Sequence, residues 1–98
     1  MTRRVIPVSA TVATAADVLT TAFGDEVVML NLSDGVYYGL EEVGARLWAM
    51  LKQPVTVSEI CRTLVQEFDV EPEQCERDLL ELLRDLVSRG LIEIRDQP

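Results

Sequence analysis

Ninety-eight residues make a single domain in which roughly two thirds of the unfolded surface can be buried, leaving no room for an enzyme core with an elaborate pocket. With 48% hydrophobic and 27% charged residues the chain reads as globular rather than disordered. Nine basic against seventeen acidic residues give a net charge of -8; setting aside Arg3 and Arg4, the count from residue 5 onward is 7 minus 17, or -10, a field that repels phosphate backbones.

Residues 1–17 read as an N-terminal tail, extended or disordered. Two arginines, scattered apolar residues and a small-residue end give its start the outline of a signal peptide, but Pro7, Ser9, Thr11 and Thr14 interrupt any apolar core. The expected location is the cytoplasm. The longest apolar runs fall well short of the roughly 20 residues that a membrane span requires. Cys61 and Cys75 lie fourteen apart on predicted helices with no histidine in the chain, so buried thiols are expected and no metal site.

The first predicted strand is "DVLTTAF", ending at a Gly24-Asp25 turn. "EVVMLNL" follows, with Val28, Leu30 and Leu32 on one face and Val27, Met29 and Asn31 on the other. Asp34-Gly35 predicts a hairpin turn, because glycine accepts positive φ and aspartate bonds its own backbone. The third strand, "VYYGL", puts Val36, Tyr38 and Leu40 on one face and Tyr37 and Gly39 on the other.

From Glu41 the period becomes helical: Val43, Leu47, Trp48 and Leu51 form a stripe that closes at "KQP". Thr56 and Glu59 fit a capping box ahead of Val57, Ile60, Cys61, Leu64, Val65 and Phe68. A third helix opens at Glu71-Pro72-Glu73 and stops at Arg89-Gly90, and "LIEI" follows as a final strand or wing. The expected fold class is α+β: a three-stranded antiparallel sheet followed by a three-helix, winged-helix-like unit.

Candidate chemistry is sparse. There is no glycine-rich phosphate loop, no nucleophile elbow and no paired cysteine motif, and the two thiols sit among apolar or acidic neighbours that stabilise no thiolate. The carboxylates of the third helix interleave with Arg77, Arg84 and Arg89 as a solvated, ion-paired face. Glu71, Glu73, Glu76, Asp78 and Glu81 also occupy the helix that would enter a DNA groove, which argues against nucleic-acid binding.

Peptide binding survives these exclusions. The third helix carries two apolar lines, Cys75, Leu79, Leu82 and Leu86, then Leu80, Leu83 and Val87, where one suffices for a helix packed on one side. One line can pack on the other helices and the second on the sheet; alternatively, part of the second stays open beside the third strand. That strand lacks lysine, proline or inward charge from Val36 to Leu40, the usual protections of an edge, and so invites β-augmentation.

"VVMLNLSDGVYYGLEEVGARLWAML", "TVSEICRTLVQEFDV" and "DLLELLRDLVSRGLIEI" together resemble the PqqD-like family of precursor-peptide recognition elements, covering most of Val18 to Ile94. The resemblance implies a peptide recognition domain over residues 18–95. It implies a non-catalytic, cofactor-free protein that binds the leader of a ribosomally made peptide as a strand beside the third strand and against the third helix. Carried onto this chain, main-chain pairing falls on Val36, Tyr37, Tyr38 and Gly39. Side-chain contacts fall on Arg77, Leu80, Leu83, Arg84 and Val87, placed by the face argument rather than by the family motif. The free-standing format and the C-terminal stretch are similar to members from lasso-peptide pathways, whose partners are a leader peptidase and an ATP-dependent cyclase. A radical SAM enzyme, as in pyrroloquinoline quinone formation, is the alternative partner. A competing reading is an acidic winged-helix regulator that dimerises through the same edge strand.

Overall fold

The computed structural model describes residues 6–95. Six strands and three helices follow in the order β1 (Thr11–Thr14), β2 (Val18–Phe23), β3 (Glu26–Asn31), β4 (Val36–Glu41), α1 (Val43–Met50), β5 (Val55–Thr56), α2 (Val57–Glu67), α3 (Pro72–Ser88) and β6 (Ile92–Arg95). The fold is α+β, and the expected three-stranded antiparallel sheet is present as β2-β3-β4.

The alternation in β3 decides which side of that sheet faces inward. Val27, Met29 and Asn31 are buried, whereas Val28 and Leu30 are only partly covered. Met29 pairs with Tyr38 and Val27 with Leu40, so Tyr38 and Leu40 share the inner face. The turn into β4 forms as the Asp34-Gly35 pair requires: Gly35 has φ +73° and Asp34 Oδ1 accepts from the Val36 amide at 3.0 Å. Glu42, at φ 53°, is the one non-glycine residue with positive φ among the described residues and precedes α1, which begins at Val43 with the apolar stripe, two residues after the change of period at Glu41.

A second sheet, in the order β5-β1-β6, departs from the sequence expectation. Thr11–Thr14 is its central strand, pairing with Val55–Thr56 on one side and Ile92–Arg95 on the other. Ile6, Thr11, Val12 and Ala13 are buried, so this part of the expected tail belongs to the folded unit and the domain begins before Val18. The cause is pairing: a segment that looks unpatterned alone acquires partners on both edges. Residues 1–5, including Arg3 and Arg4, and residues 96–98 lie outside the described residues.

One apolar core joins the sheets to the helices through Met29, Leu47, Leu51, Ile60, Leu64, Leu83 and Leu86. Thr56 caps α2, its hydroxyl accepting from the Glu59 amide at 3.2 Å. At the end of α3 the Gly90 amide donates to Val87 O and the Leu91 amide to Leu86 O, both at 3.0 Å, the paired bonds of a Schellman stop. Gly90 holds φ +72° there. Buried Asn31 fastens the same corner: its Nδ2 donates to Arg89 O at 2.8 Å, and its Oδ1 accepts from the Ser33 amide at 2.9 Å.

Candidate functional site

β4 is an outer strand of its sheet, since β3 occupies its other side. Two main-chain bonds fix which of its groups are free. Glu42 N–H donates to Asp25 O at 3.0 Å, and Leu32 N–H donates to Asp17 O at 2.9 Å. Bonded and non-bonded pairs alternate along an antiparallel ladder, so Val27–Leu40, Met29–Tyr38 and Asn31–Val36 are the bonded pairs between β3 and β4. The N–H and C=O groups of Tyr37, Gly39 and Glu41 therefore point to the open edge. Of the four expected pairing residues, Tyr37 and Gly39 present their main chain outward, while Val36 and Tyr38 turn theirs to β3.

α3 is tied to this strand through Tyr38 by three linked contacts. Tyr38 Oη donates to Asp85 Oδ2 at 2.7 Å, Arg89 Nε donates to Asp85 Oδ1 at 3.1 Å, and the Arg89 guanidinium lies 4.6 Å from the centroid of the Tyr38 ring. The Tyr38 bond, assisted by Arg89, holds the Asp85 carboxyl below the usual carboxylate range. The same bond, with burial, pushes the Tyr38 hydroxyl above its ordinary value.

The Tyr38–Asp85 contact reveals which flank of α3 faces β4. At about 100° per residue, Asp78, Leu82 and Arg89 lie within about 60° of Asp85 around the helix, whereas Leu80, Leu83 and Val87 stand about 140–160° away. Leu82 also lines a small apolar cavity of about 260 Å³ with Val43, Gly44 and Leu47 of α1 and Asp78 and Leu79 of α3. Of the first apolar line, Cys75, Leu79 and Leu86 are buried and Leu82 is partly covered on the flank of Asp85; of the second, Leu83 is buried and Leu80 and Val87 are partly covered.

Individual residues follow from this rotation. Leu83 is fully buried and leaves the contact set, because a core side chain offers no surface to a docked strand. Leu80 is half-buried against the core, and Arg77 is exposed, its Nη2 donating to Gln74 Oε1 at 2.7 Å. Arg84 and Val87 line an open cleft of about 820 Å³ that passes over the outer side of α3 to Leu82 and Asp85, with Ile6 at its far flank. Arg84 Nε is buried there without an acceptor among the described residues. Asp78, Leu82, Asp85 and Arg89 are the positions that sequence reasoning missed. Their available signal was the Asp85–Arg89 spacing of four, which marks one helix face.

The thiols offer little nucleophilicity. Burial pushes Cys61 up to about 11 and raises Cys75 as well, so both stay protonated at neutral pH.

Residues 26–92 match the family described as coenzyme PQQ synthesis protein D (PqqD). Among solved structures, TbiB1 in complex with the TbiA(beta) leader peptide is 34% identical, with 87% of this chain and 99% of that chain covered and a TM-score of 0.80. Lasso peptide synthetase B1 complexed with the leader peptide is 21% identical over 84% of this chain and 96% of that one, with a TM-score of 0.74. The tRNA dependent lantibiotic dehydratase MibB from Microbispora sp. 107891 is 19% identical over 93% of this chain and 9% of its own, with a TM-score of 0.59. The last two likenesses concern the fold alone. No curated protein matches the chain.

Proposed function

Because the chain belongs to the PqqD family, we propose that it binds the leader region of a ribosomally synthesised precursor peptide by β-strand addition to β4 and presents it to processing enzymes without catalysing a reaction itself. The observation that carries this reading is the open β4 edge, where Tyr37 and Gly39 present free main-chain groups while Tyr38 between them is bonded to Asp85 of α3. TbiB1, at 34% identity, is a leader-peptide complex, which supports the same role here. An added strand alternates its side chains, sending every second one toward Leu82, Asp85 and the small cavity between α1 and α3. Arg84 and Val87 border the continuing cleft and serve as secondary contacts; Arg77 and Leu80 become peripheral. The finer reading is a lasso-peptide precursor, with a leader peptidase and an ATP-dependent cyclase as recipients in the cytoplasm. Among the described residues no helix is long and apolar enough to cross a membrane.

The test is fluorescence-polarisation binding to synthetic leader segments from precursor genes beside this one. Gly39→Pro removes an outward N–H while sparing the β3–β4 bonds, and is expected to weaken binding at least about tenfold, equivalent to about 1.4 kcal/mol, with an unchanged circular dichroism spectrum. Leu82→Ser is expected to weaken binding more than Leu80→Ser. Equal affinities for wild type and all three variants would sink the assignment of the groove.

The family description names coenzyme PQQ synthesis, and the alternative recipient is a radical SAM enzyme of that pathway. Co-purification with that enzyme rather than with a peptidase would select it. The dimerising-regulator reading predicts self-association by light scattering without peptide.

A further inference from the structure

The side of the β2-β3-β4 sheet turned away from the core is apolar where an antiparallel sheet facing water is ordinarily polar. Leu19, Leu30 and Tyr37 are direct neighbours across the three strands, and Thr21, Val28 and Gly39 form the next row. On this face Leu19 is 57% exposed, Phe23 60%, Leu32 54% and Tyr37 68%, with Val28 and Leu30 partly covered between them. Contiguous exposed apolar surface of this kind marks interaction sites.

The charge around it is one-sided. Asp17, Asp25, Glu26, Asp34, Glu41 and Glu42 belong to this sheet and its connections, and no lysine or arginine occurs from residue 5 to residue 45. None of the six carboxylates takes part in an ion pair among the described residues.

We propose that this outer sheet face is the docking surface for the enzyme that processes the bound precursor, and that the enzyme meets it with an apolar patch ringed by lysine and arginine. The choice of partner rests on the leader-binding reading above. Charge decides among occupants: a second copy would bring six further carboxylates against these six, and a phosphate-bearing surface is repelled outright. Continuity supplies the remaining argument. Tyr37 contributes its ring to this face and its main chain to the open edge, so a bound leader widens the same face by one strand. The enzyme therefore binds the loaded protein more tightly than the empty one.

The test uses the full chain, the synthetic leader and the purified peptidase encoded with the precursor, with biolayer interferometry for the peptidase and fluorescence polarisation for the leader. The double variant Leu19→Ser, Phe23→Ser is expected to weaken peptidase binding at least tenfold and to leave leader affinity within twofold. Asp25→Lys with Glu26→Lys, which alters only exposed positions, is expected to weaken peptidase binding comparably. Leader at saturation is expected to tighten peptidase binding to the wild type. Unchanged peptidase affinity in both double variants would overturn the proposal, as would a wild type that binds leader but no peptidase. A wild-type dimer dissolved by Leu19→Ser, Phe23→Ser would overturn it in favour of a second copy. A wild type that binds no leader defeats the earlier functional reading, a result separable from these.

Discussion

The hydroxyl of Tyr38 ties the strand offered to a peptide to the helix behind it through Asp85, and Arg89 completes the arrangement from the same helix. Hydrogen bonds to charged groups contribute about 1.5–3 kcal/mol, but the Asp85 side chain is 39% exposed, so solvent reduces the value toward about 1 kcal/mol. Tyr38→Phe is therefore expected to lower the melting temperature by about 4–8 °C, measured by circular dichroism. The pH dependence has a definite sign. Asp85 has a depressed folded pKa, so its stabilisation is present above its unfolded value near 3.8 and is lost as pH falls through the folded one. Tyr38 has a raised pKa, so its share is present below about 10 and is lost as pH rises through the folded value. Removing the hydroxyl is expected to make both limbs of the stability profile shallower, and an acid limb as steep as the wild type's would contradict this account. The two tyrosines were legible as an alternating pair on an edge strand. The Asp85 partner was not, because it lies 47 positions away and only the rotation of α3 brings it into reach.

Elements were mostly legible where local chemistry marks their ends. Thr56 begins α2, Pro72 occupies the first turn of α3, and Gly90 closes it. Gly90 is constrained twice: φ is +72°, and a Cβ there would stand 3.1 Å from Asn31 Nδ2, the atom that satisfies the Arg89 carbonyl. Gly90→Ala is expected to cost about 1–3 kcal/mol, through left-handed strain and displacement of Asn31, as measured by urea unfolding. A cost near zero would show that the corner relaxes freely. The facing of α3 was harder to obtain. Its apolar residues extend over more than one flank, so periodicity identified an amphipathic helix without stating which line meets the strand. Leu83 shows the consequence: assigned to the groove from its place in a stripe, it sits in the core instead, and Leu82 one position earlier is the partly covered residue on the flank of Asp85.

At the scale of the whole molecule, the segment before Val18 separates pattern from structure. "IPVSATVAT" contains a proline, small residues and threonines, and nothing local distinguishes a strand from a tail. Its evidence for being a strand is its partners, Val55–Thr56 and Ile92–Arg95, which lie far along the chain. Deleting residues 1–14 is expected to abolish cooperative thermal unfolding, since it removes Ile6, Val12 and Ala13 from the core and leaves β5 and β6 without their shared neighbour. A truncated chain that melts with the wild-type midpoint would restore the tail reading. The placement of β1 also sets an order of events during synthesis. Thr14 pairs with Ile92, 78 positions later, so the earliest strand to leave the ribosome is among the last to be secured. Until β6 emerges, only Thr11 and Val12 have strand partners, in the two residues of β5, Ala13 has none, and the nascent unit carries an unclosed sheet.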